Sequence, residues 1–175
     1  MTSGKTMQAD PNRPQIRPDS TDLWQWSLAL YPAIKSIALE WQDQCGVNVN
    51  LLLLLLYLQR RQQLLSVDDL QQLQNAVALQ QQRFTIPLRQ LRRQLPAHLP
   101  EQAAIDFKQQ LLQAELCSEQ LEQQQLIACL QDLPVRQLTA ACSMPAMYLQ
   151  LLQIDPASRL AQIVDLDQAA ANVEI

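Results

Sequence analysis

Apolar residues recur along most of this chain at steps of three, four and seven, the spacing that lays them on one side of an α-helix. After Ser20, Thr21 and Asp22, all good N-caps, Leu23, Trp24, Ser27, Leu28, Leu30 and Tyr31 predict a first helix ended by Pro32. A second fits Ile34 to Cys45, with Gly46 where a left-handed C-cap glycine belongs. The third starts near Asn48 and is leucine on every side from Leu51 to Leu58, so it has no solvent face and is expected to be packed all round by its neighbours. Ser66 followed three residues later by Asp69 resembles a capping box. From there Val67, Leu70, Leu73, Val77, Phe84, Leu88, Leu91 and Leu95 hold their phase across Pro87, predicting one long helix kinked between Arg83 and Pro87. The competing reading is a break near Thr85, with Pro87 in the first turn of a new helix.

Pro96 and Pro100 bracket a tight link to another long helix, from Glu101 to about Leu133, whose inner stripe is expected to be Phe107, Leu111, Ala114, Leu121 and Ala128, flanked by Leu112, Leu116 and Leu130. So short a link sets the two long helices antiparallel, as a helical hairpin. Beyond Pro134 the pattern weakens. Met144 to Leu152 and Ala157 to Ala171 read as short helices that need not belong to the core, so 134–175 is taken as a weakly structured extension. Residues 1–20, with Pro11, Pro14 and Pro18 among polar neighbours, read as a disordered tail, leaving 21–133 as the core domain.

Composition agrees with the helical reading. The chain has 175 residues, with only 2 glycines against 30 glutamines and 33 leucines. Gln and Leu lose little rotamer freedom in a helix, and glycine is its commonest breaker. The length suits one domain. The most apolar stretch is eight residues where a bilayer crossing needs about 20, and the N-terminus has no apolar core of a secretory signal. A cytoplasmic location is expected, with Cys45, Cys117, Cys129 and Cys142 as free, mostly buried thiols that lack CxxC spacing.

The obvious chemistries find no support. With one histidine, His98, in a proline-flanked turn, neither a histidine-based metal site nor a nucleophile with its base can be assembled, and two glycines cannot make a phosphate-cradling loop. Neither an enzyme nor a cofactor is expected. Glu115, Glu119 and Glu122 share a helix face and read as a solvated surface balancing nearby arginines. The basic concentration Arg83, Arg89, Arg92 and Arg93, with Arg60 and Arg61 elsewhere, could be solvated, paired with the acidic helix, docked on an acidic protein or bound to RNA. The net charge of −4 argues mildly against nucleic acid. Trp24, Trp26, Tyr31 and Trp41, beside Gln42, Asp43 and Asn50, either tie helices around a core or line a partner groove. Inward-facing rings would make the cluster architectural.

The runs LWQWSLALY (23–31), ALEWQDQCGVNVNLLLLLLYL (38–58) and PLRQLRRQL (87–95) resemble a family of small bacterial helical proteins, the domain of unknown function 2390 type, over roughly residues 22–133. Trp41 stands where the family pattern has a leucine more often. The resemblance implies an all-helical cytoplasmic protein and assigns it no activity or catalytic residue. Together these readings predict an all-α bundle with a central buried helix and a long antiparallel hairpin. Its expected role is regulatory or adaptor-like, binding a protein partner. RNA binding, an apolar-ligand carrier and self-association through the hairpin are the alternatives.

Overall fold

The computed structural model describes residues 18–94, 100–137 and 142–174; His98 and residues 1–17 of the expected tail lie outside them. Helix α1 (Ser20–Cys45) is capped by Asp19, whose carboxylate accepts from the Asp22 amide at 2.7 Å. It runs unbroken through Pro32, which corrects the expected pair of helices. Proline has no N–H for the Leu28 carbonyl four residues back, but Leu28 and Pro32 both face water, which can take that acceptor instead. Gly46 ends the helix at φ +70°, a conformation glycine adopts without steric cost.

Helix α2 (Val49–Arg60) begins at Asn48, whose side-chain oxygen accepts from the Leu51 amide at 2.9 Å. Leu51 to Leu58 are at most 4% exposed, as expected for a central helix. Helices α1, α5, α6 and α7 all pack on it. Each of its leucines contributes about 2 kcal/mol by leaving water, so this segment supplies much of the cohesion of the fold.

A two-residue strand, β1 (Gln63–Leu64), pairs antiparallel with β2 (Arg136–Gln137) and ties the start of the hairpin to its end. Helix α3 (Val67–Gln80) starts with the expected capping box: the Asp69 amide donates to Ser66 Oγ at 3.2 Å and the Ser66 amide to the Asp69 carboxylate at 2.9 Å. The path then continues through a π-helical turn, Gln81–Thr85, into α4 (Ile86–Arg93). Gln80, Thr85 and Ile86 all keep right-handed helical angles, so the path is one continuous helical rod. In the π turn the Ile86 N–H reaches back to the Gln81 carbonyl, a widened loop that absorbs the register lost at Pro87.

Helix α5 (Glu101–Leu130) returns antiparallel to α3 and α4. The C-terminal segment departs from expectation. Helix α6 (Met144–Leu151), a short 3₁₀ turn (Pro156–Arg159) and α7 (Leu160–Ala171) bring Met144, Tyr148, Leu149, Ile163 and Leu166 into the same core as α2. These helices are structural, not an appendage. Their hydrophobic signal is short and broken by Pro145 and Pro156, so periodicity under-reads it.

Candidate functional site: a buried polar seam and an apolar arm

The inward face of α5 is the least expected feature of the molecule. Its buried residues are Leu111, Glu115, Ser118, Glu122, Gln123, Leu126, Ile127 and Leu130. Of the predicted inner stripe only Leu111 is buried; Phe107, Ala114, Leu121 and Ala128 face outward. Glu115, 3% exposed, and Glu122, 1% exposed, are correspondingly not the solvated face expected of them. Apolar spacing misleads here because the polar residues of α5 have partners waiting inside.

Those partners come from four elements. Asn48 and Asn50 at the start of α2 each donate a side-chain N–H to Glu122 Oε2, at 3.0 and 2.9 Å. Thr85, in the π turn, donates its hydroxyl to Glu122 Oε1 and shares a 2.8 Å hydrogen bond with Ser118. Ser118 also accepts from Gln80 at 2.9 Å. Gln123 donates to Ser27 of α1 at 3.1 Å and to Asn50 at 3.2 Å. The Asn48 backbone N–H donates to the hydroxyl of Tyr148, whose pKa burial pushes up to about 12. Asn48 thus caps α2, holds α5 and engages α6 at once.

Nearer the hairpin's tip the seam becomes ionic. Arg89 Nε donates to Glu115 at 2.8 Å and its Nη2 to Glu119 at 2.9 Å, while Arg92 Nε reaches Glu115 at 2.5 Å. Burial alone would raise the Glu115 pKa, but the hydrogen bonds from Arg92 and Arg89 outweigh it and hold the carboxyl below its usual range. Glu119 receives one of these contacts and sits beside two further carboxylates. Burial, reinforced by Glu115 and Glu122, lifts it to about 7 against the pull of Arg89. Burial and the Glu119 charge likewise raise the Tyr31 phenol.

The basic concentration is therefore divided. Arg89 and Arg92 are spent on α5, as one of the sequence readings expected, Arg93 stands 3.5 Å from Asp43 with both side chains well exposed, and Arg83 is exposed.

The candidate aromatic groove is divided as well. Trp26 is buried with its ring edge-on to Tyr57 at 5.2 Å, and Trp41 is buried with its indole N–H donating to Gln162 of α7 at 2.7 Å. Both rings are architectural. Trp24 and Tyr31 are half-buried and, seven residues apart, share a different side of α1. Gln42 donates to the neighbouring Asp43, and Asn50 belongs to the polar seam. One unbroken α1 distributes these side chains around its circumference, so they do not meet in a single groove. A surface pocket of about 340 Å³ does adjoin Trp26, but Asp22, Gln25, Arg61 and Glu174 also line it, which is not the enclosed apolar cavity a carrier of apolar ligands requires.

Residues 22–126 match the profile described as protein of unknown function (DUF2390), well over half of the chain. The chain belongs to this family. No curated protein and no solved structure matches it. The DUF2390 match contains every seam residue named above except Tyr148, and it stops before α6 and α7 begin.

What the interior gives up, the surface shows. Ile105, Phe107, Leu112 and Leu121 of α5, with Phe84 of the π turn and Leu91 of α4, lie 39–56% exposed. Ile105 and Leu112 are seven residues apart, as are Phe84 and Leu91, so each pair forms a stripe on its own helix. Residues 101–110 of α5 are exposed except for half-buried Ala104. This free helical end, together with α4, forms an arm. Sequence reasoning missed it because the same leucines were assigned inward; the glutamate-serine-glutamate spacing at 115, 118 and 122 was the available signal.

Proposed function

We propose that this chain is a non-catalytic docking module that presents the apolar arm of α4 and α5 to another protein. The observation that carries the reading is the inward face of α5, which keeps glutamates inside and leaves Ile105 and Leu112 in water, beside exposed Leu91 of α4 and Phe84 of the π turn. Apolar stripes spaced by a heptad fit an amphipathic helix laid along them. From Leu70 to Pro100 the chain holds no aspartate or glutamate, and Arg83 stands exposed beside Phe84. The partner helix is accordingly one with an acidic flank. A cytoplasmic site of action belongs to the same reading, supported by four thiols that remain free, although they are half-buried or, at Cys117, exposed instead of mostly buried.

RNA binding is the weaker reading, because Arg89 and Arg92 already neutralise Glu115 and Glu119. A photo-crosslinking amino acid placed at Leu91 or Ile105, with Gln71 on α3 as control, tests the proposal in cells that make the protein. Both arm positions should trap a protein segment that is helical, apolar on one side and acidic on its flank, and Leu112→Glu should abolish the adduct. No arm-specific adduct would overturn the reading, and an RNA adduct would transfer the function to nucleic acid.

A further inference from the structure

The polar seam holds three carboxylates, Glu115, Glu119 and Glu122, against two guanidinium groups, Arg89 and Arg92, so full ionisation leaves one uncompensated negative charge in a largely dry joint. The hydrogen bonds show where a neutralising proton belongs. Glu115 accepts from both arginines, and Glu122 accepts from Asn48, Asn50 and Thr85. Glu119 accepts one N–H, from Arg89, and its side chain is 23% exposed against 5% for Glu115, so a proton can come and go there.

Among the described residues, the charged and titratable groups that act on this carboxyl are Arg89 and Arg92 from α4, Tyr31 from α1, and Glu115 and Glu122 from α5 itself; the neutral amides of Asn48 and Asn50 at the start of α2 bond to Glu122 instead. The helix carrying the arginines also has a π turn where it joins α3. The π turn Gln81–Thr85 departs from the regular helical hydrogen-bond ladder, and its last residue, Thr85, is fastened to Glu122 and Ser118.

We propose that the seam is a proton-operated latch: a proton on Glu119 holds α4 shut against α5, and its loss lets α4 swing out about the π turn. In the open arm water solvates Glu119, Arg89 and Arg92 separately, removing the repulsion among the three carboxylates. The latch is a property of the seam and does not rest on the docking reading. A carboxyl that titrates near 7 when closed and near its ordinary 4.5 when open makes opening about 300-fold more favourable once the proton is gone.

Amide hydrogen exchange of α4, corrected for intrinsic rates and referenced to buried α2, reads this directly. In the native chain, α4 protection should fall roughly thirtyfold between about pH 5.5 and 8, and Glu119→Gln, which mimics the protonated form, should stay protected throughout. Flat protection in the native chain, or an unchanged slope in Glu119→Gln, would overturn the latch. Should that variant fail to fold, carbon-13 NMR of the native chain decides the matter. The Glu119 carboxyl and the α4 amide signals must share one midpoint near neutrality, and a carboxyl midpoint below about pH 5.5 would equally overturn it.

Discussion

Single residues of the seam carry consequences that their charge alone would not suggest. Glu122 accepts three hydrogen bonds while almost fully buried, so Glu122→Leu strands Asn48, Asn50 and Thr85 together and should cost about 3–5 kcal/mol in urea unfolding. Thr85→Val removes one hydroxyl from the same cluster, and a loss of about 1–3 kcal/mol is expected by the same measurement. The two flanking carboxylates act with opposite sign on stability. The folded protein binds the Glu119 proton more tightly than the unfolded chain does. Its contribution, roughly 3 kcal/mol, is therefore complete below about pH 4.5 and lost as the pH rises through about 7. Glu115, held below its usual range, contributes above its unfolded pKa and loses that contribution as the pH falls. Comparing unfolding free energies of native protein and Glu119→Gln across pH 4 to 8 isolates the first effect, since only the native chain should weaken over that interval by this amount.

At the scale of the helix, local rules and tertiary partners divide the control. Gly46 adopts a left-handed angle with open space where a Cβ would stand, so Gly46→Ala strains the backbone without a clash and should cost about 1 kcal/mol in thermal or urea unfolding. The signals legible in the sequence were of this local kind: the Asn48 cap, the Ser66 and Asp69 box, the Gly46 stop, and the leucines of α2 that admit no wet face. The continuity of the helix past Pro87 was also legible, because the apolar phase survives it. What stayed hidden depended on the folded surroundings of each residue. Pro32 ends a helix unless the Leu28 carbonyl faces water, and Glu115 and Glu122 face water unless Arg89, Arg92, Asn48 and Asn50 meet them inside. Among the candidate residues, only the arginine and glutamate pairing was readable in advance. The aromatic cluster came apart because its members sit at different angles around one helix instead of on two short ones.

The molecule as a whole closes around α2 from both ends of the sequence. Helices α6 and α7 cover that helix, and Gln162 of α7 holds the Trp41 indole, so a chain ending at residue 133 leaves a broad part of the leucine core bare. Such a truncation should lose cooperative unfolding and become rapidly protease-sensitive, visible in circular dichroism melts and limited proteolysis. The family match ending at residue 126 therefore does not mark the edge of a folding unit in this chain. The reversed dressing of α5 has a consequence for anyone grading variants. A scale that scores harm by lost greasiness will misrank part of the helix, forgiving Ser118 and Gln123 and condemning Leu121. Saturation mutagenesis should find the opposite ordering for folding, with the leucine free to vary and its hydrophilic neighbours nearly fixed.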